Sequence, residues 1–286
     1  MKIVKMVGRL GNQMFIYAFA KALEFYSGEK VCIDVSGYKN ASPEILSMFD
    51  VKVTKAPWIY SLFYDFINSH KRIFRFLINR FVVREEPENC YAPSLFETRK
   101  GLKFYSGYFQ CENYFKEIEE QIRKDFSFKA FDCPELIKLR SEIEQLECPI
   151  FVNVRRGDYV TLAKQGVVQW LCDMSYYQKA TKFMHDKYPN CTFVAVSDEP
   201  EWLKENLKID YPFKIYSSPL PNYDIYLLQA CKHAICANSS YSWWAGWLID
   251  NPDKTIVAPE PWFQPNQPAD IIPDNWIKIP RLSELQ

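Results

Sequence analysis

From residue 150 onward, the chain alternates short apolar runs with helical segments. The strand-like runs occupy 150–155, 192–197, 213–216, 234–237 and 255–258. Strands that alternate with helices are typical of a parallel sheet with helices packed on its faces. The start of the chain repeats the pattern, because strand-like runs at 3–7 and 31–35 flank a helical segment at 14–26. The sequence therefore predicts an α/β protein.

A break at Cys148-Pro149 divides the 286-residue chain into two predicted domains. Residues 1–148 are predicted to form a Rossmann-like domain with a helical insertion, and residues 149–286 a second Rossmann-like domain. A chain of this length accommodates one large domain or two modest ones. The segment 259–280 is rich in proline and has no periodicity, so we expect it to wrap over the surface.

The segment 153–158 places two arginines, a glycine and an aspartate at the carboxyl end of a predicted strand. Ligands of open α/β sheets bind at this end of the strands. The planar guanidinium groups of Arg155 and Arg156 match phosphate oxygens and stay charged at any working pH. Gly157 permits the tight turn that such a site needs. The alternative is a structural arginine paired with Asp158.

A serine-rich segment opens a predicted helix after the strand-like run at 234–237. The N-terminus of a helix offers backbone N–H groups and a partial positive charge, both of which suit phosphate. Polar side chains there can add donors, and they belong to Asn238, Ser239, Ser240 and Ser242. The alternative is an ordinary serine cap followed by core tryptophans.

Two further strand ends carry candidate polar residues. Asp198 ends a strand, where its carboxylate can accept from a ribose hydroxyl or a base; alternatively, it caps the next helix. Gly11, Asn12 and Gln13 follow the first strand, and Asn12 is also a candidate N-cap for the first helix. The glycines around them match neither a Walker loop nor the G-x-G-x-x-G fingerprint.

Charge and metal-ligand content exclude several classes of protein. Lys+Arg and Asp+Glu number 35 each, so the chain lacks the basic excess typical of nucleic-acid binding. Its three histidines are scattered, and no Asp-x-Asp pair occurs, so we expect no metal site. If the chain handles a nucleotide diphosphate, arginines and helix N–H groups must replace the metal.

The cysteines and the apolar runs indicate the cellular compartment that we expect for this protein. None of the nine cysteines lies in a C-x-x-C pair, and most have apolar neighbours, which is typical of buried thiols in a reducing cytoplasm. No signal peptide or transmembrane helix is expected. The stretch 58–83 is apolar at helical spacing and basic, so it could lie on an anionic membrane surface; we favour a core-packing helix with a solvated basic edge.

Taken together, these motifs resemble the bacterial α-1,2-fucosyltransferases, an inverting glycosyltransferase family numbered 11. The resemblance covers nearly the whole chain and rests on four ordered blocks, at 8–15, 154–159, 196–199 and 231–244. It implies a GT-B-like fold, in which two Rossmann-like domains face a central cleft. It also implies GDP-fucose as donor, the 2-hydroxyl of a terminal galactose as acceptor, and metal-independent transfer with inversion.

The resemblance also implies roles for individual residues. Arg155 matches the arginine that grips the donor pyrophosphate, and Asn12 matches an amide that reaches across the cleft toward the donor. Asp198 matches an acidic residue near guanine, and the serines of 239–242 match the phosphate-side loop. Asn153 stands where the family usually has a histidine that contacts the nucleoside; asparagine can also hydrogen-bond a base or ribose.

Three points stay open at this stage. Asp158 is the nearest candidate for the general base by sequence, but it could instead orient an arginine. The first rival reading is a glycosyltransferase of the same architecture with another nucleotide sugar. The second is a non-catalytic glycan-binding protein whose aromatic side chains stack on sugars.

Overall fold

The protein forms two compact units, each described here by itself. The computed structural model describes residues 1–38, 42–69, 82–87, 89–97, 101–157, 160, 171–263 and 267–281. The first unit contains Met1–Ala130 and Pro268–Ile271, and the second contains Phe131–Gln267 and Ile272–Gln286. The sequence prediction placed the boundary after Cys148 instead. The two boundaries differ because the helix at Pro134–Glu144, which the prediction assigned to the first domain, lies in the second unit.

The first unit is built on a four-stranded parallel sheet. Its strands are β1 (Lys2–Lys5), β2 (Val31–Asp34), β3 (Val83–Glu85) and β4 (Lys103–Ser106), in the order β2-β1-β4-β3. All three pairings between neighbours are parallel. The chain thus runs from β1 to β2 at one edge and returns at the other edge, which makes the gap between β1 and β4 the switch point of this sheet.

Helix α1 (Leu10–Ser27) joins β1 to β2 and is buried over most of its surface. It ends at Gly28, whose φ of 63° is the left-handed conformation that glycine adopts without steric cost. Its N-cap residue is Arg9, so the prediction that Asn12 caps this helix is wrong. Asn12 lies in the first turn, which leaves its side chain available for other contacts.

The other described α-helices of the first unit are α2 (Glu44–Met48), α3 (Trp58–Ser69) and α4 (Glu119–Asp125), with 3-10 turns at Pro93–Phe96, Glu112–Tyr114 and Lys116–Ile118. Helix α3 begins where the apolar stretch 58–83 predicts it. Residues 70–81 lie outside the described part of the chain. The last residue of the stretch, Val83, begins strand β3 and does not belong to a helix. Consecutive valines fit a buried strand as well as a helix, so the sequence pattern did not distinguish the two.

The second unit is built on a six-stranded parallel sheet. Its strands are β5 (Cys148–Val154), β6 (Cys191–Ser197), β7 (Phe213–Ile215), β8 (His233–Ile235), β9 (Ile256–Glu260) and β10 (Ile277–Pro280). The order is β10-β9-β8-β5-β6-β7. The chain runs outward from β5 to β7, then returns to β8 beside β5. The switch point therefore lies between β5 and β8.

Five helices are described in the second unit: α5 (Pro134–Glu144), α6 (Met174–Lys187), α7 (Pro200–Asn206), α8 (Asp224–Leu228) and α9 (Ser240–Trp247). The buried side chains of β5, β6 and α6 form one core cluster with Leu203 of α7. The parallel sheets confirm the predicted α/β class.

The prediction for the proline-rich segment 259–280 is only partly correct. The segment 259–280 does not only wrap over the surface, because Ile277–Pro280 pairs with β9 as the edge strand β10.

All nine cysteines are free thiols, which agrees with the sequence prediction that they do not form a disulfide framework. Within the described residues, no helix combines the length and the apolar character needed to cross a bilayer.

Candidate active site

The predicted site residues of the second unit lie at the carboxyl ends of three adjacent strands, β6, β5 and β8, and the switch point of the sheet lies between β5 and β8. Arg155 and Arg156 follow β5, Asn238 and Ser239 follow β8, and Asp198 follows β6. Carboxyl ends of strands at a switch point are the usual ligand position in open α/β sheets, because the two loops there diverge and leave a crevice.

The register of β5 against β6 brings Arg155 beside Asp198. Val154 pairs with Ser197, so the next residues in each strand direction face each other. Arg155 Nη1 lies 2.9 Å from Asp198 Oδ2, and the two side chains are 21% and 25% exposed. This ion pair holds the Arg155 guanidinium at the carboxyl edge of the sheet without burying it completely, so part of its surface remains accessible to a ligand.

Asp198 also fixes the backbone of the arginine loop. Its Oδ1 accepts a hydrogen bond from the Arg156 backbone N–H at 2.9 Å. Gly157 has a φ of +25°, and a Cβ at this position would lie 2.3 Å from Asp198 Oδ2. A larger residue at 157 would therefore push the carboxylate away from Arg155. Asp158, the predicted general base, lies outside the described residues.

Arg156 is held by a different acidic residue and by an aromatic ring. Its Nε donates to Glu199 Oε2 at 3.0 Å. Its guanidinium lies 3.6 Å from the ring centroid of Trp202, within the range of a cation–π interaction. Both partners belong to the segment that opens α7. The side chain of Arg156 is therefore held by Glu199 and Trp202, while Asp198 holds its backbone N–H group.

A cavity of about 660 Å³ lies beside these arginines in the second unit. Its lining includes Arg155, Arg156, Tyr177, Trp202 and Lys208. The mixture of aromatic surface and cationic side chains suits an anionic ligand with a flat ring. A larger cavity of about 1130 Å³ in the first unit is lined by charged residues of α1 and of 116–124, and it contains none of the predicted site residues.

Asn153 is buried and contacts the neighbouring strand and helix. Its Nδ2 lies 3.5 Å from the Val196 carbonyl oxygen, and its backbone carbonyl oxygen accepts from the Tyr177 hydroxyl at 3.3 Å. The predicted contact of Asn153 with a nucleoside stays a prediction.

The serine-rich segment is a helix N-terminus, as the sequence predicts. Ser239 is the N-cap residue of α9, and its carbonyl accepts from Trp243 N at 2.9 Å. Ser242 has a structural role, because its hydroxyl accepts from Ala237 N at 3.1 Å within the core. Asn238 donates to the Trp262 carbonyl and accepts from the Cys172 thiol. Ser240 begins the helix. Contacts of these residues with phosphate stay predictions.

Gly11, Asn12 and Gln13 lie together in the first turn of α1, in the first unit. Gln13 is fully buried and structural: its Nε2 donates to the Gly8 carbonyl, and its Oε1 accepts from Ile45 N. Asn12 instead contacts the loop after β4, because its Oδ1 accepts from Gln110 Nε2 at 2.8 Å. Asn12 and Gln110 therefore meet at the switch point of the first sheet.

Burial raises the pKa of two carboxyl groups, one directly after β3 and the other at the start of α8. It raises the pKa of Glu86 to about 7, although backbone N–H groups of Tyr108 and Phe109 oppose the shift. It also raises the pKa of Asp224 to about 6. Burial raises the pKa of the Cys172 thiol to about 12, which keeps this cysteine protonated and poorly nucleophilic.

Across the described parts of the chain, no group of three or more His, Cys, Asp or Glu could hold a metal ion.

Sequence reasoning missed four residues that organise these loops: Glu199, Trp202, Gln110 and Glu86. Glu199 directly follows Asp198, but its position beside Arg156 depends on the register of β5 against β6, which the sequence pattern does not specify. Gln110 and Glu86 follow β4 and β3, neither of which the sequence pattern identified. Their roles could not be inferred without those strands.

An arginine loop at the carboxyl ends of a parallel sheet is an arrangement that suits an anionic ligand such as a nucleotide. The fold agrees with that of a solved nucleotide-sugar enzyme: the structure is similar to NodZ from Bradyrhizobium, an α-1,6-fucosyltransferase. With a crystal soaked with GDP-fucose, the TM-score is 0.53 at 16% identity, over 87% of this chain and 92% of NodZ. This is the GT-B fold of glycosyltransferases.

The sequence profile of Glycosyl transferase family 11 matches residues 1–280, and the chain belongs to this family. It is 28% identical to an α-1,2-colitosyltransferase of Escherichia coli, over 97% of this chain and 98% of that protein. It is 24% identical to galactoside α-(1,2)-fucosyltransferase 2 of Rattus norvegicus, over 94% of this chain and 77% of that protein. The resemblance to fucosyltransferases in the sequence is thereby confirmed at the level of the family.

Proposed function

We propose that this protein transfers L-fucose from GDP-fucose to the 2-hydroxyl of a terminal galactose on a glycan, with inversion and without a metal ion. The observation that carries the proposal is the Arg155–Asp198 pair at the carboxyl ends of β5 and β6, where β5 also borders the switch point of the second sheet. A guanidinium held there by a carboxylate is positioned for a diphosphate. Membership of the glycosyltransferase family supplies the reaction class.

In the proposed reaction, the bond between the fucose C1 and the β-phosphate oxygen breaks as the acceptor oxygen attacks the opposite face. The transition state has oxocarbenium character, as in inverting glycosidases. Negative charge develops on GDP, and Arg155 would neutralise it. N–H groups at the start of α9 would add donors. A general base would accept the acceptor proton, and Asp158 is the proposed candidate.

Asp198 contributes to this mechanism by orienting Arg155 before the substrate binds. A side chain that is already held in place loses less conformational entropy on binding. Both carboxylate oxygens of Asp198 are engaged by the arginine loop, one by Arg155 and the other by the Arg156 backbone. We therefore propose that Asp198 acts mainly on the loop, and that a contact with guanine would be additional to this role.

Colitose is the second candidate for the transferred sugar. The similar α-1,2-colitosyltransferase of Escherichia coli favours it, because it matches almost the full length of this chain. Colitose lacks the 3-hydroxyl of fucose. A site that hydrogen-bonds this hydroxyl would reject colitose strongly, by about 10⁴-fold or more, whereas an apolar pocket would discriminate by only about 10²-fold.

A donor panel tests the proposal. The purified protein is incubated with GDP-fucose, GDP-colitose, GDP-mannose or UDP-galactose, together with a set of galactose-ended oligosaccharides, and the products are analysed by mass spectrometry. We expect the mass of one added fucose with GDP-fucose. A higher kcat/KM with GDP-colitose would replace fucose by colitose in the proposal. Glycan binding without turnover of any donor would overturn the enzymatic function.

A further inference from the structure

Arg281 is a buried, charged side chain that directly follows the edge strand β10 of the second unit. Its exposed fraction is 0%, and it is among the largest fully buried side chains of the described chain. Its Nη2 donates to the Phe263 carbonyl oxygen at 3.0 Å, whereas its Nε and Nη1 have no hydrogen-bond partner. Arginine is almost never fully buried unless it is paired, so an incompletely paired guanidinium in this position is costly to the fold.

No carboxylate of the described residues compensates the charge of Arg281. The backbone N–H of Asp173 donates to the Arg281 carbonyl oxygen at 3.2 Å, but the Asp173 side chain caps helix α6 instead. Its carboxylate accepts from the Tyr176 N–H at 3.0 Å and from the Ser175 hydroxyl at 2.7 Å. Burial lowers the pKa of Arg281, yet a guanidinium stays protonated at any working pH. The described residues therefore leave a positive charge uncompensated inside the second unit.

Arg281 lies behind the wall of the cavity beside the arginine loop. Cys172 and Asp173 both line this cavity, and Asp173 is hydrogen-bonded to the Arg281 backbone. The guanidinium also acts on the Cys172 thiol: burial raises the pKa of this thiol to about 12, and the charge of Arg281 opposes the rise. The charge of Arg281 is thus within electrostatic reach of the cavity wall, although the guanidinium itself is shielded from solvent.

We propose that Arg281 supplies buried positive charge to the donor site, and that the diphosphate of the nucleotide sugar compensates this charge in place of a protein carboxylate. This inference rests on the proposed function. Arg281 does not touch the ligand but acts on it through space, across Cys172 and Asp173. Charges interact more strongly in the interior of a protein than in water, because the interior has a lower dielectric constant. The unpaired guanidinium destabilises the free protein, and a bound anion relieves that cost.

Three substitutions separate the charge of Arg281 from its hydrogen bond to Phe263. Arg281→Lys keeps the charge, Arg281→Gln keeps a donor without charge, and Arg281→Met keeps neither. The matched control is Arg140→Met in helix α5. Arg140 also donates to a backbone carbonyl, that of Tyr226 at 2.6 Å, but Glu144 compensates its charge at 2.8 Å.

The first measurement is the Kd of guanosine, GMP and GDP for each protein, by isothermal titration calorimetry. A pH of 6.5 favours the charged form of a buried lysine. We expect Arg281→Met and Arg281→Gln to weaken GDP binding by about 10- to 100-fold and GMP binding less, and Arg281→Lys to stay within about threefold of the wild type. The affinity for guanosine, which carries no phosphate, should not change. Arg140→Met should bind all three as the wild type does.

Urea unfolding without nucleotide is the second measurement. Arg281→Met should be at least as stable as the wild type, because replacing a buried charge by an apolar side chain is often neutral or stabilising. A large loss of stability in Arg281→Met and Arg281→Gln, or failure of both to fold, would make Arg281 a structural donor to Phe263 and would overturn the inference.

The binding data provide three further outcomes that would overturn it. These are equal weakening of guanosine and GDP, wild-type GDP affinity in Arg281→Met, and a loss in Arg281→Lys as large as that in Arg281→Gln. Arg155→Ala is measured in parallel. If Arg155→Ala loses GDP binding while the Arg281 variants keep it, only this inference fails. If the wild type does not bind GDP, the proposed function fails as well.

Discussion

Arg155 and Asp198 form an ion pair of 2.9 Å across the carboxyl ends of two neighbouring parallel strands. The pair follows from the strand register, because Val154 pairs with Ser197 and the residues directly after each strand then lie side by side. It holds the guanidinium at the carboxyl end of β5, the strand that borders the switch point, where we propose that an anionic ligand binds. The proposed transfer reaction depends on that guanidinium more than on any other group.

Replacing Arg155 should abolish transfer while the protein stays folded. We expect Arg155→Ala to lower kcat by at least about 10²–10³-fold, since it removes a donor aimed at the leaving group. Arg155→Lys should recover little, because lysine keeps the charge but lacks the planar pair of donors. The matched control is Arg123→Lys, on the surface of α4, where the arginine pairs with Glu119.

Kinetics of both variants and their thermal melting curves check this expectation. Near wild-type kcat for Arg155→Lys would mean that residue 155 supplies only diffuse charge. A large loss of melting temperature in Arg155→Ala would mean instead that its pair with Asp198 is structural.

Transfer should persist in excess EDTA. Arginine and backbone N–H groups are proposed to take the place of a divalent cation at the leaving group. The assay compares initial rates with and without EDTA, and then after addition of Mg²⁺ or Mn²⁺. Complete loss of activity in EDTA that either cation restores would contradict a metal-independent reaction.

Glu86 should make the stability of the fold depend on pH. Its folded-state pKa is raised by burial to about 7, so the folded protein binds a proton that the unfolded chain releases near pH 4.5. Folding then takes up a proton between these two values. Stability should therefore fall as pH rises through this window, by up to roughly 3 kcal/mol for the single group.

Urea unfolding at pH 5 and pH 8 measures this dependence. Glu86→Gln can still accept from the Tyr108 and Phe109 N–H groups, so it should keep the loop and flatten the pH profile. Glu120→Gln, at an exposed carboxylate of α4, is the control for the loss of one carboxyl group. An unchanged pH dependence in Glu86→Gln would show that Glu86 is ionised throughout this range.

Helix α3 should bind anionic vesicles weakly. It buries Ser61 and Tyr64 against the first unit, yet five large apolar side chains on it are 43–72% exposed: Trp58, Ile59, Leu62, Phe63 and Phe66. The sequence that follows it contains Lys71, Arg72 and Arg75. Aromatic and aliphatic side chains beside basic residues favour an anionic lipid surface, at about 1 kcal/mol per Lys or Arg.

Vesicle flotation with and without anionic lipid is the test. We expect flotation only with anionic lipid and low salt, and less of it in a Trp58→Ser, Leu62→Ser variant. Ile137→Ser, at an exposed isoleucine of α5, is the matched control. Failure to float with either lipid composition at low salt would exclude membrane binding by this helix.

The second unit could be predicted largely from the sequence because its strands are long or flanked by clear turn signals. The pattern located the runs of β5 and β6, and with them Arg155 and Asp198 at the same end of the sheet. Their direct contact depends on strand register, which a periodic pattern does not specify for a buried parallel strand. The partner of Arg156, Glu199, was missed for the same reason.

The first unit was harder to predict, and so was the role of Asn12. Strands β3 and β4 span only three and four residues, and they lie outside the regular strand–helix alternation from which the equally short β7 and β8 could be located. Without β4, nothing in the sequence brings Gln110 next to Asn12, which then looks like a helix cap. Strand β10 was missed because prolines precede it and its residues are mostly exposed.

The linkage and anomeric configuration of the product decide whether this protein is an inverting α-1,2-fucosyltransferase. GDP-fucose and a galactose-ended oligosaccharide are incubated with the wild type and with Arg155→Ala, and the purified product is analysed by two-dimensional NMR. We predict α-linked fucose on O2 of the terminal galactose, formed from the β-linked donor by the wild type alone. A fucose on another hydroxyl, retention of the donor configuration, or equal product from Arg155→Ala would contradict it.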